Sequence, residues 1–480
     1  MVYDVAIIGC GITGAATAFE LSKLKLNTLV LEKENDVAMG ATRANSAIIH
    51  AGYDPKPGTL MAKLNVEGNA MAEKLCKDLS VPFERIGSLV LAFSEEEAET
   101  VKTLYDRGVA NGVPGVKILN HDEILAMEPL VSDQVVSALY APSAGIINPW
   151  DYALALIETA VVNGVTLKRN AKVTGIDKKE GSYLLKTPAG EFEAKYVINA
   201  AGVECGLIHE MVAEKTFTVM PNRGEYYLMD KNEGERAHHV LFQCPNKDGK
   251  GVLIAPTTGG NLIVGPNAEA VTEPERPNNT AAGLAFVREK AAKTMPSLTY
   301  RNSIRNFSGI RSNTDKDEFQ IGIAAENFID LAGIKSPGLS SAPAIALYAI
   351  ELLKQCGLAA EENPDAVTTR KKIRFRKLDE AGKQAVIKEN PLYGRVICRC
   401  ETVTEGEIVD AIHSPVTPCS VDGIKRRAGS GMGRCQGGFC GPRVVEILHR
   451  ELGIDPLDIL QDGEGSFILM SETKKGGEQA

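Results

Sequence analysis

The feature that most constrains this chain is a strand, a glycine turn and a helix at its beginning. Val5 to Ile8 is an apolar run of the kind that fills a buried parallel strand. It passes at once into Gly9-Cys10-Gly11-Ile12-Thr13-Gly14 and a helical pattern through Ser22. Gly9 permits the tight turn, Gly11 lets the backbone approach a pyrophosphate, and Gly14 lets helix and strand pack closely, while the helix N-terminus faces the phosphates. A second apolar strand, Thr28 to Leu31, ends in Glu32, followed by Lys33, where an acidic group hydrogen-bonds an adenosine ribose. Gly9, Gly11, Ile12, Thr13, Gly14, Glu32 and Lys33 are therefore read as a dinucleotide site. FAD and NAD share this fingerprint.

What decides between them follows Glu32: Gly40-Ala41-Thr42, then Asn45-Ser46-Ala47-Ile48-Ile49-His50-Ala51-Gly52. Here the sequence resembles the FAD-dependent oxidoreductases of the D-amino-acid oxidase superfamily, and within it the glycerol-3-phosphate and L-2-hydroxyglutarate dehydrogenases. The resemblance implies that Thr42 approaches the FAD pyrophosphate and that Asn45, Ser46, Ala47 and His50 lie along the isoalloxazine.

At 480 residues the chain is long enough for more than one domain, and its net charge of −9 argues for a small-molecule substrate rather than nucleic acid. No basic and apolar leader precedes the first strand. The longest apolar region, Ala342 to Leu353, is too short to span a bilayer, so a cytoplasmic protein with no transmembrane segment is expected. Its cysteines are then expected to be buried, metal-binding or redox-active rather than paired in disulfides. Cys10, Cys76, Cys205, Cys244, Cys356 and Cys419 are scattered, and four others cluster late in the chain.

After a helix over Thr59 to Leu79, residues from about 84 to 144 leave the nucleotide fold. Strands over Lys172 to Ile176, Tyr183 to Thr187 and Tyr196 to Ile198 return to it and end in Asn199-Ala200-Ala201-Gly202. The resemblance implies that Ala201 and Gly202 close over the FAD adenosine and pyrophosphate, and that Val173 meets the adenine through its backbone. From Thr216 to about Asp317 strands alternate with Pro and Gly turns, a pattern for the sheet of a substrate domain. Arg223 and Arg311 lie there, and arginine suits bidentate recognition of phosphate or carboxylate. The family places an arginine at the position of Arg311. For Arg223 and Arg305 a surface ion pair and substrate binding stand equal. Phe328 to Ser341 is another strand, glycine turn and helix. Gly333, Gly338, Leu339 and Ser340 are expected against the flavin, with Lys335 holding a substrate anion or the flavin N1 region.

Residues 361–394 read as a linker, with the basic run Arg370 to Lys377 as a solvated or docking strip. Cys398-Arg399-Cys400 and Cys435-Gln436-Gly437-Gly438-Phe439-Cys440 then offer four thiolates in a glycine-rich setting. A [2Fe-2S] cluster fits them, with zinc, which fits the ligand count, or empty thiols as the alternatives. The arrangement resembles the bacterioferritin-associated-ferredoxin-like domain fused to the catalytic subunit of anaerobic glycerol-3-phosphate dehydrogenases. That resemblance implies a [2Fe-2S] cluster on Cys398, Cys400, Cys435 and Cys440.

The expected fold is α/β: a Rossmann-type FAD domain (about 1–83, 145–215 and 318–360) interleaved with an antiparallel β-sheet substrate domain (about 84–144 and 216–317). A small α-helical cysteine domain over 395–455 and a tail over 456–480 follow. The reaction the resemblance implies is oxidation of sn-glycerol 3-phosphate to dihydroxyacetone phosphate, with hydride passing to flavin N5 and His50 as base. Arg311, Lys335 and Arg223 would hold the anion. Electrons would leave through the iron-sulfur centre to a second flavoprotein or other electron-accepting subunit, through which the chain could sit peripherally on a membrane. The alternatives are the same chemistry on L-2-hydroxyglutarate or another 2-hydroxy acid, an amino-acid dehydrogenase, and a non-catalytic FAD electron-transfer subunit.

Overall fold

The apolar run at the N-terminus is the strand Val2–Ile8, and it lies in the middle of an eight-stranded sheet. The structure, a computed structural model, describes residues 1–245, 251–273 and 277–472. It divides into two units, one of Met1–Glu32 with Ala38–Arg370, the other of Lys33–Val37 with the residues from Lys371 on.

In the first unit, Val2–Ile8 pairs in parallel with Thr28–Leu31 on one side and with Gly190–Asn199 on the other. Thr166–Lys168 extends the sheet beyond Thr28–Leu31, and Phe328–Ala332 runs parallel to the end of Gly190–Asn199. Parallel strands require crossovers, and the helix Ile12–Leu21 supplies the first one. Every residue of that helix is buried, because it packs against Pro149–Val162 and Gly338–Gln355 as well as the sheet. The strand expected from Lys172 instead spans Gly175–Lys179, where pairing with the hairpin partner begins at Lys186. Val173 is left in a loop, buried in the core beneath that hairpin.

A second, nine-stranded sheet is mostly antiparallel. Near one end of it, Asn222–Met229 pairs with Ser303–Arg311 along its whole length and with Leu262–Gly265 on the other edge. One face is covered by the helix Ala281–Thr294, whose Val287 and Ala291 enter a core with Tyr227, Met229, Leu241, Ile254 and Val264. A short three-stranded sheet, Ile48–Ile49 with Gly145–Ile147 and Phe83–Glu84, anchors the chain just before His50.

In the second unit, the hairpin Val396–Cys398 and Val403–Thr404 leads into the helices Glu405–Ile412, Val421–Ala428 and Gly441–Leu452. Thr404 and Glu407 form the reciprocal capping box that their spacing foretells. Ile408, Ile412, Ile424, Val444, Ile447 and Leu448 build its core.

The stretch read as linker is more structured than its composition suggests. It carries the helix Glu380–Glu389, capped by Asp379, and a buried Phe375. Lys371, Arg376 and Lys377 of its basic run are exposed, and two of its arginines have internal partners. Arg370 is held by Asp151 and Glu158 in the first unit, and Arg376 by Glu401 in the second. The last residues of the expected tail, 473–480, lie outside the described residues.

Candidate active site and thiol centre

The nucleotide end of the site is built by backbone proximity. Gly9 sits at φ +100°, and a Cβ there would lie 2.5 Å from the Ala200 carbonyl oxygen, so no larger residue fits the turn. The Cys10 N–H donates to Glu32 Oε2 at 2.7 Å, which draws the carboxylate beneath the glycine turn. Thr42 is brought in from 30 residues away, and its Oγ1 accepts from the Ile12 N–H at 2.9 Å. The helix itself begins on Gly11, with no side-chain cap and no acid in its first turn. Such an end carries partial positive charge and suits a phosphate. The residues present therefore fit a bound dinucleotide.

The opposing turn, Ala200 to Gly202, rests on a buried polar network that sequence reading did not find. Asn199 Oδ1 accepts from the Ala201 N–H at 3.3 Å, while its Nδ2 donates to Asp330 Oδ1 at 2.8 Å. Asp330 Oδ2 in turn lies 2.6 Å from His209 Nδ1. Burial raises the Asp330 carboxyl, and the bonds from Asn199 and His209 oppose that rise. Nothing in the spacing of these three residues marks them as neighbours.

At the reactive end, Asn45 shapes the loop. Its Oδ1 accepts from the Ala47 N–H at 2.7 Å, with Ala47 at φ +59°, and its Nδ2 donates to the Thr42 carbonyl at 2.9 Å. Ser46 Oγ is 3.2 Å from the Tyr226 hydroxyl. His50 is fixed through its backbone and its ring. Its N–H donates to Ser340 Oγ at 2.6 Å, and its carbonyl accepts from Asn65 and Asn69 at 2.9 and 3.0 Å. Its Nε2 lies 3.2 Å from Ser336 Oγ, and its ring stacks on Phe242 with centroids 5.7 Å apart. The helix Gly338–Gln355 starts just after Ser336 and carries Ser340 in its first turn, again with no side-chain cap and no acid there.

The second sheet lays one face on this loop. Asn222 stands opposite Arg311, Gly224 opposite Gly309 and Tyr226 opposite Phe307, so all six share a face. A Cβ on Gly309 would lie 1.9 Å from the Ala44 carbonyl oxygen, which sets how closely that face approaches. Tyr226 and Phe307 stack at 4.7 Å, and Arg311 Nη1 donates to Asn222 Oδ1 at 2.8 Å. Ser312, next to Arg311, donates to the Ile334 carbonyl at 3.0 Å and joins this strand end to the turn that carries Lys335 and Ser336. By the same alternation Arg305 is on this face, and it is exposed.

Two expected anion ligands have protein partners in this structure. Arg223 points to the opposite face, 6% exposed, where Nη2 meets Glu269 at 2.6 Å and Nη1 donates to Asn278 at 2.9 Å. It is a buried structural cation, because a shift of one residue along a strand reverses the face. Lys335 turns its amine to the Lys316 carbonyl at 3.3 Å, with Asp317 at 3.9 Å. Its neighbour Ser336 is the residue that reaches His50. Tyr226, Phe307, Phe242 and Ser336 are functional neighbours that sequence reading missed. The two-residue alternation of Asn222, Gly224 and Tyr226 held the signal, but the register against Arg311 was needed to read it.

In the second unit the four clustered thiols meet as two pairs, each with one cysteine from either motif. Cys400 and Cys435 lie 3.7 Å apart and are exposed, while Cys398 and Cys440 are hydrogen-bonded and buried. Two thiolates on one tetrahedral metal at about 2.3 Å stand about 3.8 Å apart, so the first separation suits a shared metal. The Cys440 thiol, and beyond it the N–H groups of Gly431 and Glu401, hold the Cys398 thiol down at about 6 against the cost of burial. Cys440 is pushed up, first by the same bond and then by burial. Among the described residues no three His, Cys, Asp or Glu side chains gather as a site for one ion. Two pairs fit a binuclear centre, with two thiolates per iron, better than a single zinc.

These two sites define a flavin-dependent oxidoreductase with an appended thiol centre, and comparison with known proteins agrees. Residues 4–352 match the FAD dependent oxidoreductase (DAO) family, to which the chain belongs, and residues 396–450 match the BFD-like [2Fe-2S] binding domain. FAD and a [2Fe-2S] cluster are thus its cofactors. The chain is 49% identical, over 98% of its length and 99% of the relative's, to a glycerol 3-phosphate dehydrogenase of Caloramator mitchellensis. It is 30% identical to the L-2-hydroxyglutarate dehydrogenase of Escherichia coli strain K12, over 64% of this chain and 71% of that protein. Among solved structures, dithionite reduced L-alpha-glycerophosphate oxidase from Mycoplasma pneumoniae with FAD bound superposes with a TM-score of 0.73 at 32% identity. That match covers 77% of this chain and 98% of the other. Among the described residues no helix is long and apolar enough to cross a membrane.

Proposed function

We propose that this chain oxidises the secondary alcohol of sn-glycerol 3-phosphate to the ketone of dihydroxyacetone phosphate. The observation that carries this reading is the meeting of one base and one anion clamp over the flavin loop: His50 at the turn of Ser336, and Arg311 at the strand end tied to that turn by Ser312. The near full-length likeness to a glycerol 3-phosphate dehydrogenase supports phosphate as the anion. Bound FAD supplies the hydride acceptor.

The chain's own residues do the rest. Asn65 and Asn69 fix the His50 carbonyl, Ser340 fixes its amide, and Ser336 and Phe242 orient the ring so that the imidazole takes the hydroxyl proton. Arg311, already aimed by Asn222, binds the phosphate as a planar fork. Tyr226 and Phe307 form an apolar wall that excludes water from that face. Cys398, Cys400, Cys435 and Cys440 would hold the [2Fe-2S] centre, which would supply one-electron chemistry towards a separate electron-accepting protein. Any association with a membrane runs through that partner.

The test is the flavin absorbance of anaerobic protein titrated in parallel with sn-glycerol 3-phosphate, L-2-hydroxyglutarate and L-proline. Bleaching by sn-glycerol 3-phosphate is expected. Bleaching by L-2-hydroxyglutarate alone would move the assignment to a hydroxy acid.

A further inference from the structure

We infer that the exposed edge of the thiol centre is a docking surface for an acidic electron-accepting protein, with Arg399 and Arg434 as its charge contacts and Phe439 as its apolar anchor. The inference rests on the proposed function, and it names the kind of partner.

Three observations converge on that edge. Of the two thiol pairs, the one at the surface is Cys400 with Cys435, and each of these cysteines follows directly on an exposed arginine, Arg399 and Arg434. Phe439 is 57% exposed although it adjoins buried Cys440, and the Arg399 guanidinium lies over its ring at 4.8 Å from the centroid. An aromatic ring left in water beside a redox centre, with a cation stacked on it, is the composition of an interface anchor. The acids nearest in sequence are turned inward. Glu401 is 6% exposed and bonded to Arg376, and Glu405 is 5% exposed and paired with Arg450.

The local positive sign opposes the chain as a whole, whose net charge is −9. An acidic partner is repelled by most of this surface and attracted at this edge, so electrostatics select the orientation that brings the two redox centres together. Oxidation of one alcohol carbon releases two electrons and two protons. The hydroxyl proton goes to solvent through the base; the hydride taken up by bound FAD would carry the other proton with both electrons, that proton being released to solvent as the electrons go singly to two partner molecules, each reduced by one.

The experiment uses full-length protein loaded with FAD and cluster, and recombinant oxidised flavodoxin, a small acidic redox protein, as the probe. Binding is measured at low and high salt for the wild type and for R399E/R434E, R399K/R434K and F439A. Cluster content is checked by visible absorbance and iron analysis, and flavin bleaching by sn-glycerol 3-phosphate is measured separately on each variant. Binding that weakens with salt, falls about ten-fold or more in R399E/R434E at full cluster content, and survives in R399K/R434K is expected. F439A should weaken binding without changing the salt dependence. Wild-type protein that does not bind flavodoxin at low salt, or R399E/R434E that binds it equally, overturns the inference. Loss of binding in R399E/R434E together with a flavin that sn-glycerol 3-phosphate never bleaches would leave the surface standing and remove the substrate assignment.

Discussion

Asp36 follows Glu32 by four residues, yet it belongs to the C-terminal unit and is its most deeply held charge. It is 0% exposed, and its carboxylate accepts from Arg427 Nη1 and Nη2 at 2.8 Å each, from Arg426 Nη2 at 3.0 Å and from the Val37 N–H at 2.9 Å. Arg426 and Arg427 are themselves 4% and 5% exposed. Asp36→Asn keeps the shape and removes the charge that Arg426 and Arg427 share, while their bonds to Asp462 and to backbone carbonyls stay. Breaking a buried pair in this way costs about 3–5 kcal/mol. Amide hydrogen exchange in the helices Glu405–Ile412 and Gly441–Leu452 should then quicken by roughly a hundred-fold to a few thousand-fold, at 1.4 kcal/mol per decade.

The charge also sets a pH dependence. Burial alone would raise the Asp36 carboxyl, but Arg427 and then Arg426 outweigh burial and hold it well below the usual carboxylate range. A depressed folded value contributes stability that is full above the unfolded value of about 3.9 and is lost as pH falls below it. The wild type should therefore lose protection in these helices as pH drops through about 4, and Asp36→Asn should lack that component. Equal exchange rates in the two proteins at neutral pH, or equal acid slopes, would refute the reasoning.

Three further outcomes are expected. Gly9→Ala places a methyl group against the Ala200 carbonyl in a left-handed turn, so the purified protein should carry little FAD by its visible absorbance. His50→Ala should keep its flavin but slow flavin reduction by sn-glycerol 3-phosphate about 10²- to 10⁴-fold in anaerobic stopped flow, and unchanged rates at every pH would remove His50 as base. Arg311→Met should lose charge-assisted bonds worth about 1.5–3 kcal/mol and raise KM roughly ten- to a hundred-fold, whereas Arg223→Met, which unpairs Glu269, should lower the melting temperature and leave KM unchanged.

Local signals in the chain were legible to the extent that local physics decided them. The strand, glycine turn and helix around Gly9 declare themselves because a pyrophosphate demands glycine at fixed spacing, and the capping box of Thr404 and Glu407 declares itself because one turn of helix closes it. The four cysteines were readable as a donor set for the same reason. Arg223 was not readable. It and Arg311 are the same residue type in similar strands, and only the pairing of Asn222 with Arg311 shows that Arg223 faces the other way.

From the sequence alone came the reading of the nucleotide-binding turn, the loop with His50, the two helix N-termini suited to anions, and the choice of thiolate donors. Tertiary structure alone decided which thiols pair and which pair meets water, which arginine faces the flavin loop, and that Ser336 rather than Lys335 reaches His50. It also assigned Lys33–Val37 to the C-terminal unit, although these residues continue directly from a strand of the first. The physical reason is the range of the interactions. Turns and caps are specified within a few residues, while a sheet face or a buried ion pair such as Asp36 with Arg427 depends on partners far away along the chain, which spacing cannot encode.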